Sequence, residues 1–144
     1  MSHSTPIPAA KKTVTRTGSC HCGAVRFSVE LEHGFQAGRC NCSICMKIAQ
    51  TGVIVKPSAF KLLAGDESLG RYTWGMISTR HFCKHCGIHC FAYGHLDVLG
   101  GDYVSINLNS LDDFDLSKVV LSYWDGRHNN WQAGPRPTPW PVSA

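Results

Sequence analysis

The spacing of cysteines carries most of the chemistry that this sequence predicts. The chain has 144 residues and eight cysteines, a high density for a chain of this size. Seven of the cysteines fall into three close groups: Cys20 and Cys22; Cys40, Cys42 and Cys45; and Cys83 and Cys86. Such a composition is typical of disulfide-stapled or metal-bound proteins. Because tight clustering favours metal binding in a reducing compartment, we expect a metal-binding, cytoplasmic protein.

The first and last groups together predict a structural zinc site. Cys83 and Cys86 are followed by Gly87, which is the form of a zinc knuckle: the turn lets both sulfurs reach one ion, and the glycine accepts a left-handed backbone. Cys20 and Cys22 lie two residues apart, so an extended chain presents both thiols on one face. Four thiolates arranged in this way form a closed tetrahedral zinc site.

The middle group predicts a second zinc site of a different kind. Cys40, Cys42 and Cys45 supply three ligands, which leaves a fourth position open for water or for a substrate thiol. An ion in such a site lowers the pKa of the bound thiol and presents it as a nucleophilic thiolate. The residues alone leave an alternative, in which a fourth protein ligand closes the site and makes it structural. The candidates for that ligand are one cysteine and four histidines: Cys90, His21, His81, His85 and His89.

Other residues with possible roles are interpreted mainly as packing. Cys90 shares strand parity with Ile88, and we expect it in the core, where a free cysteine behaves as a small apolar residue. His89 points to the opposite face, where it either lines a site or is satisfied at the surface. Arg127 and His128 belong to a polar loop that either borders a pocket or holds the C-terminal segment.

The elements that must position these groups are mostly short strands. Residues 24–31 alternate between apolar and polar side chains, as a half-buried strand requires. Further runs rich in β-branched and aromatic residues, separated by glycines, cover residues 52–55, 70–74, 81–82, 88–93 and 103–108. Only residues 43–49 and 110–116 are predicted to be helical. Asp112, Asp113 and Asp115 are expected in turns and caps rather than as a catalytic acid cluster. The pattern predicts a mainly β, antiparallel domain with short helices.

The ends of the chain are predicted to lie outside the domain. Residues 1–17 are polar and aperiodic and predict a flexible tail, residues 18–132 predict one zinc-binding domain, and residues 133–144 predict a proline-rich, extended tail docked through Trp140. No apolar run approaches the roughly 18 residues that a membrane span needs, and residues 1–16 lack the apolar core of a secretory signal. The net charge of +4 comes from scattered side chains, which does not indicate a nucleic-acid binder.

Three motifs, in this order and spacing, resemble the glutathione-dependent formaldehyde-activating enzyme family. They are GSCHCGAVRF at residues 18–27, CNCSIC at residues 40–45 and FCKHCG at residues 82–87. The similarity runs from about residue 18 to residue 131. Residues 60–65, with Tyr72 and Thr73, further resemble the centromere protein V branch of this family. The resemblance implies a zinc-stabilised, β-tent-like fold of antiparallel sheets.

The resemblance also implies a ligand set and a reaction. Matched motif by motif, the structural zinc ligands are Cys20, Cys22, Cys83 and Cys86, and the catalytic set is Cys40, Cys42 and Cys45. The implied activity is that of a carbon–sulfur lyase, with two zinc ions per chain, which joins formaldehyde or a similar aldehyde to glutathione or a related thiol. The product is an S-hydroxymethyl adduct.

The residues that bind the glutathione carboxylates are less well marked. Arg39, Lys47 and Arg80 are candidates, because arginine and lysine pair with carboxylates. After Cys45 the family often has a basic pair followed by glycine, whereas this chain has Met46 and Lys47. The alternative function is a non-catalytic zinc module that binds a protein or nucleic-acid partner, although the scattered charge does not favour nucleic acid.

Overall fold

β-Strands are the main regular elements of the computed structural model, which describes residues 12–75 and 78–143. Within these residues the strands, in chain order, are β1 (Thr13–Ser19), β2 (Arg26–Glu32), β3 (Gln36–Cys40), β4 (Gly52–Val55), β5 (Phe60–Ala64), β6 (Leu69–Trp74), β7 (Ser78–Cys83), β8 (His89–Leu96), β9 (Gly101–Asn107) and β10 (Val120–Trp124). One short α-helix, α1 (Ser43–Lys47), follows β3. The prediction of a mainly β protein with short helices is confirmed.

The strands form two sheets. The smaller sheet has the order β1-β2-β5, and the larger one has the order β10-β3-β4-β9-β8-β7-β6. Every pairing is antiparallel except the one between β10 and β3, which run parallel with Trp124 opposite Cys40. The larger sheet is therefore mixed, and its parallel pair brings the end of β10 beside the first cysteine of the middle group.

The hydrophobic core lies between the two sheets. Along β2 the side chains of Phe27, Val29 and Leu31 are buried while their neighbours are partly or fully exposed, as the alternation in residues 24–31 predicts. The ring centroid of Phe91, on β8, lies 5.9 Å from that of Phe27 and 4.7 Å from that of Phe60. These aromatic contacts join β2 and β5 of one sheet to β8 of the other.

The predicted helix at residues 110–116 is wrong. The segment lies between two 3-10 turns, Leu108–Ser110 and Leu116–Lys118, and Asp113 has a φ of 50°, which no right-handed helix accommodates. Its acidic residues serve local hydrogen bonds: Asp112 accepts from the Thr17 and Ser19 hydroxyls, and Asp115 accepts from the backbone N–H of Ser117. The expectation that these carboxylates lie in turns and caps is confirmed.

The structured chain begins earlier than predicted. β1 starts at Thr13 and pairs with β2 along its whole length, from Thr13 opposite Glu32 to Ser19 opposite Arg26. The tail prediction is therefore wrong for residues 13–17. The reason is that this edge strand exposes most of its side chains, so it lacks the apolar alternation that marks a strand. Residues 1–11 lie outside the described residues.

The C-terminal segment packs against β10. Backbone hydrogen bonds of 2.8 and 3.0 Å link Tyr123 and Arg136 in both directions. The indole Nε1 of Trp140 donates to the carbonyl of Tyr123 at 2.8 Å, which confirms docking through Trp140. The Arg136 guanidinium carbon lies 3.8 Å from the centroid of the Trp140 ring. In the described part of the chain, no helix has the length and apolarity that crossing a membrane requires.

Candidate metal centres

Four cysteines from distant parts of the sequence meet in one cluster, as predicted. The sulfurs of Cys20, Cys22, Cys83 and Cys86 all lie within 4.8 Å of one another. The Cys22 Sγ is 3.6 Å from that of Cys20 and 3.7 Å from that of Cys83. Because zinc–sulfur bonds are about 2.3 Å long, a tetrahedral site places its sulfurs about 3.8 Å apart. The observed spacing fits one ion held by four thiolates.

The two halves of this four-cysteine cluster are built from similar turns. Gly23 follows Cys22 with a φ of 83°, and Gly87 follows Cys86 with a φ of 78°; only glycine adopts this left-handed backbone without cost. The turns direct backbone N–H groups at sulfur: Val25 N donates to Cys20 Sγ at 3.2 Å and His85 N donates to Cys83 Sγ at 3.3 Å. Such bonds stabilise thiolates, the form that binds metal.

Cys90 lies in the core next to this cluster rather than in it. Its side chain is fully buried, which confirms the core prediction. It occupies the register shift between β7 and β8, where His81 pairs with Phe91 and Phe82 pairs with His89. Burial first, and then the nearby charges of Cys20 and Cys86, raise the pKa of Cys90 to about 12. Cys90 is therefore a neutral thiol that packs against the four-cysteine cluster.

The middle group forms a second cluster at the junction of β3 and α1. Cys40 is the last residue of β3, Cys42 precedes the first residue of α1, and Cys45 lies within that helix. Their three sulfurs lie within 4.8 Å of one another. Hydrogen bonds from the other two thiols hold the pKa of Cys42 well below its usual range, while the same contacts raise the pKa of Cys45. Of the three thiols, Cys42 is therefore the one that is shifted towards the thiolate, the form that binds a cation.

No fourth protein ligand joins the three-cysteine cluster among the residues that the structure describes. Cys90 packs at the other cluster, and His85 Nε2 lies 3.2 Å from the Ser68 hydroxyl. The ring of His81 stacks on Phe91 in the core. His21 is exposed at the four-cysteine cluster. The ring of His89 lies 5.3 Å from that of Phe82 and does not join the cluster either. The alternative of a closed second site therefore finds no ligand in the described chain.

Arg80 brings a positive charge to the three-cysteine cluster. Its Nη2 lies 3.6 Å from Cys45 Sγ, and its Nη1 donates to Gln50 Oε1 at 2.9 Å. Gln50 in turn donates from Nε2 to the hydroxyl of Ser105 at 2.9 Å. Hydrogen bonds through Gln50, which follows α1, and Ser105, on β9, therefore orient the guanidinium. Burial, followed by the charge of Arg80, lowers the pKa of His89.

Of the other predicted carboxylate-binding residues, one lies at the cluster. Arg39 lines a cavity beside Cys40 and Cys45, and its Nε donates to Thr51 Oγ1 at 3.1 Å. Lys47 is exposed on α1. Arg127, which sequence analysis left undecided, lies nearby: its Nε donates to the Asn41 carbonyl at 2.9 Å, and its Nη2 lies 3.7 Å from Met46 Sδ.

A buried polar network, which the sequence analysis missed, holds the segment between Cys40 and Cys42. Asn41 is 8% exposed and Asp125 is 6% exposed, and Asn41 Nδ2 donates to Asp125 Oδ1 at 2.8 Å. The Asn41 Oδ1 accepts from the backbone N–H of Arg127 at 2.9 Å. Burial acts to raise the pKa of Asp125, but hydrogen bonds from Asn41 and His128 outweigh it and lower that pKa. Asp125 is therefore a carboxylate that fixes the loop.

Gly126 is required by close approach to the cluster. A β-carbon built at this residue lies 2.5 Å from Cys40 Sγ, which is too near for any side chain. The only sequence signal for this contact is a lone glycine between Asp125 and Arg127, and glycines in polar loops are common. The contact depends on β10 lying parallel to β3, which local patterns do not reveal.

Comparison with known proteins finds similarity over the part of the chain that contains both cysteine clusters. The model of the glutathione-dependent formaldehyde-activating enzyme family matches residues 15–127. A Halomonas elongata protein, named provisionally as such an enzyme, is 42% identical over 78 residues, which are 48% of this chain and 50% of that protein. The chain thus matches about half the length of this relative.

A crystal structure of a Rhodobacter sphaeroides protein is similar in fold. It superimposes with a TM-score of 0.63 at 28% identity, over 75% of this chain and 99% of that one. The likeness to the centromere protein V branch stays a prediction. The family match covers all seven clustered cysteines and most of the chain, so the chain belongs to the glutathione-dependent formaldehyde-activating enzyme family.

Proposed function

We propose that this protein is a zinc-dependent carbon–sulfur lyase that joins formaldehyde to the thiol of glutathione. The observation that carries the proposal is the three-cysteine cluster, which gathers three sulfurs without a fourth ligand among the described residues. The family name specifies glutathione and formaldehyde, and an incompletely ligated thiolate site suits a reaction of a thiol. Because the cysteines of both clusters must be reduced to bind metal, the proposal includes a cytoplasmic location.

The donor set at each cluster fits zinc. Cys20, Cys22, Cys83 and Cys86 would hold a structural ion, because four thiolates form a closed tetrahedral site. Cys40, Cys42 and Cys45 would hold a second ion and leave one position free. A zinc ion bound there would supply a Lewis acid that lowers the pKa of a substrate thiol.

The proposed reaction is an addition without oxidation or reduction. The sulfur of glutathione forms a bond to the aldehyde carbon, the π bond of the carbonyl breaks, and the thiol proton ends on the oxygen. Arg80 is assigned to the oxygen that gains charge, because its guanidinium lies at the cluster, 3.6 Å from Cys45 Sγ. A positioned donor of this kind stabilises charge that develops in the transition state.

Arginines around the cluster are assigned to the carboxylates of glutathione. Arg39 lines the adjacent cavity, and Arg127 is held near it by its hydrogen bonds to Asn41. Both guanidinium groups can form two parallel hydrogen bonds with a carboxylate. Lys47 is exposed on α1, and the proposal gives it no role.

Exchange spectroscopy tests the proposal, because formaldehyde and thiols also combine spontaneously. The zinc-loaded chain is mixed with glutathione and ¹³C-labelled formaldehyde, and the rate of exchange between free and S-hydroxymethyl forms is measured by NMR. We expect acceleration over the spontaneous rate, in proportion to protein concentration. Absence of acceleration would contradict the proposal.

Two cysteine variants sharpen the test. Cys42→Ser removes one ligand of the three-cysteine cluster and should abolish the acceleration while leaving the circular dichroism spectrum native. Cys90→Ala is the matched control, since Cys90 belongs to neither cluster, and it should retain the acceleration. Equal exchange rates for Cys42→Ser and the unmodified chain would assign the reaction to another part of the molecule.

A further inference from the structure

A cavity of about 320 Å³ opens beside the three-cysteine cluster. Cys40 and Cys45 contribute to its lining, so a group bound to the cluster is next to this space. Three further lining residues are polar or charged, namely Arg39, Asn41 and Gln50. The rest are apolar or aromatic and include Met46, Tyr123, Trp124, Pro139, Trp140 and Val142. We call this cavity the apolar subsite.

Charge is concentrated outside the apolar subsite rather than within it. Among the described residues that line it, Arg39 is the charged one, and its Nε is already bonded to Thr51. Arg80 and Arg127 are not part of the lining, although both contact residues that are: Cys45 and Met46. Glutathione carries two carboxylates and one ammonium group, and an unpaired charge is costly to bury. The interior therefore suits a neutral, apolar group, with the charged ends of glutathione at its border.

The apolar subsite is much larger than formaldehyde. Formaldehyde has two non-hydrogen atoms and fills about the volume of two water molecules, or roughly 60 Å³. The subsite has about 320 Å³, which accommodates a branched alkyl chain or a phenyl ring. Removing such apolar surface from water is favourable in proportion to its area.

One wall of the subsite comes from the C-terminal segment, which the family match at residues 15–127 does not cover. This wall is held in place by specific contacts. Trp140 Nε1 donates to the Tyr123 carbonyl at 2.8 Å, and the Pro141 carbonyl accepts from Asn41 Nδ2 at 3.2 Å. Asn41 is the residue between Cys40 and Cys42, so the wall is tied directly to the three-cysteine cluster.

We propose that the apolar subsite binds the apolar substituent of aldehydes larger than formaldehyde. The inference rests on the proposed function and names its substrate class: aliphatic and arylalkyl aldehydes, which the enzyme would convert to thiohemiacetals of glutathione. The bonds change as they do with formaldehyde, because the sulfur–carbon bond forms, the carbonyl π bond breaks and the thiol proton moves to oxygen. No oxidant or further reactant is needed.

Exchange NMR with three aldehydes tests this inference. The zinc-loaded chain is mixed with glutathione and, in separate samples, with formaldehyde, acetaldehyde and phenylacetaldehyde, and kcat/KM is compared with the spontaneous rate for each. We expect phenylacetaldehyde to be favoured over acetaldehyde by about tenfold or more, since even one methylene in an apolar pocket gives roughly 10- to 200-fold discrimination. Acceleration with formaldehyde but no preference for phenylacetaldehyde overturns this inference alone, and no acceleration with any aldehyde overturns the proposed function as well.

Met46 provides a matched pair of variants on the wall of the subsite. Its side chain is 49% exposed, so substitution there leaves the core intact. Met46→Lys puts a charge against the subsite and should reduce the preference for phenylacetaldehyde to about threefold or less, while Met46→Leu keeps an apolar wall of similar volume and should retain it. An unchanged preference in Met46→Lys would contradict the assignment of this cavity.

A binding measurement without catalysis gives a second readout. The probe is 2-phenylethanol, which is neutral and has no aldehyde, added to ¹⁵N-labelled, zinc-loaded protein. The indole N–H signals of Trp124 and Trp140 should shift, and Met46→Lys should weaken the effect. The backbone N–H signals of β1 are the internal reference, because no residue of this strand lines the subsite. Shifts equal to those of β1, or none at all, at Trp124 and Trp140 would overturn the inference.

Discussion

Arg80, on β7, contacts the three-cysteine cluster with its guanidinium group. It contacts Cys45 at 3.6 Å and is held by Gln50 at 2.9 Å. Since a single positioned donor to a developing oxyanion is worth about 10²- to 10³-fold in rate, Arg80→Ala should lower kcat/KM by that factor while two zinc ions per chain remain bound. Arg80→Lys keeps the positive charge but loses the planar set of guanidinium donors. Its kcat/KM should therefore lie between that of Arg80→Ala and that of the unmodified chain.

The control for this prediction is Arg71→Ala, on the neighbouring strand β6. Arg71 is exposed and pairs only loosely with Asp66, at 3.6 Å. Exchange NMR and metal analysis of the three variants separate a role in chemistry from a role in metal binding. If Arg80→Ala exchanged formaldehyde as fast as Arg71→Ala, Arg80 would have no part in the reaction.

His95 gives a prediction about pH that is independent of the metals. Hydrogen bonds from its ring to Asp102, at 2.7 Å, and to Asp97, at 3.1 Å, raise the pKa of His95 above its usual value of 6.5. The protonated ring therefore stabilises the folded chain below pH 6.5, and this contribution is lost as the pH rises through the raised pKa.

An NMR titration of the His95 ring measures this effect. Asp102→Asn should return the pKa most of the way to 6.5, and Asp97→Asn should have the smaller effect, since its contact is longer. A His95 pKa at or below 6.5 in the unmodified chain would show that these ion pairs do not form in solution.

At the scale of elements, the three-cysteine cluster depends on the loop that follows β10. Asn41 and Asp125 are buried and hydrogen-bonded to each other, and they position the backbone between Cys40 and Cys42. Outer partners of metal ligands are worth about 10- to 100-fold in metal affinity. Asn41→Ala should therefore lower the affinity of the three-cysteine cluster for zinc by about that factor, as measured by competition with a coloured chelator.

Asn109→Ala is the matched control for that variant. Asn109 also donates its side-chain amide to a backbone carbonyl, that of Ala49 at 3.1 Å. Its side chain is exposed, and its hydrogen bonds are to Ala49 and Asn107 rather than to the segment between Cys40 and Cys42. The Asn109→Ala variant should bind both zinc ions with unchanged affinity. Equal affinities for Asn41→Ala and Asn109→Ala would mean that the loop does not support the second site.

Elements with local signals were predictable from the sequence, and those built from distant contacts were not. The strand at β2 and the turns at Gly23 and Gly87 follow from residue alternation and from glycine spacing. The edge strand β1 was missed because it has little apolar alternation. The parallel pairing of β10 with β3 joins residues about eighty positions apart, and the Asn41–Asp125 network depends on that pairing.

The same division holds within the candidate sites. The cysteine groups were predictable because the members of each group lie within six residues of one another in the sequence. Cysteines at such spacing are typical of metal sites. By contrast, Gly126 lies against Cys40 and Trp140 lines the cavity beside the three-cysteine cluster only because the chain returns there after some eighty to a hundred residues. Such returns leave no periodic pattern in the sequence.

For the molecule as a whole, the four-cysteine cluster joins the two sheets. Cys20 follows β1 of the small sheet, and Cys83 ends β7 of the large one. A structural zinc site contributes about 10–16 kcal/mol to folding in small domains, so Cys83→Ser should abolish the cooperative thermal transition seen by circular dichroism. A chelator strong enough to remove both ions should do the same to the unmodified chain.

Cys42→Ser is the control at this scale. It should leave one zinc per chain and change the Tm by no more than a few degrees, because Cys42 lies at the border of β3 and α1 and outside the cluster that joins the sheets. A cooperative, native-like transition in Cys83→Ser would contradict the structural role assigned to the four-cysteine cluster.

The proposed reaction requires that the three-cysteine cluster offers an open position to the glutathione thiol. Calorimetric titration of the zinc-loaded chain with glutathione, and separately with S-methylglutathione, tests it most directly when run in two buffers of different ionisation enthalpy. We expect glutathione to bind with release of about one proton and S-methylglutathione, which has no thiol proton, to bind much more weakly and release none. Binding of neither ligand, or equal binding of both without proton release, would contradict an open position at the three-cysteine cluster.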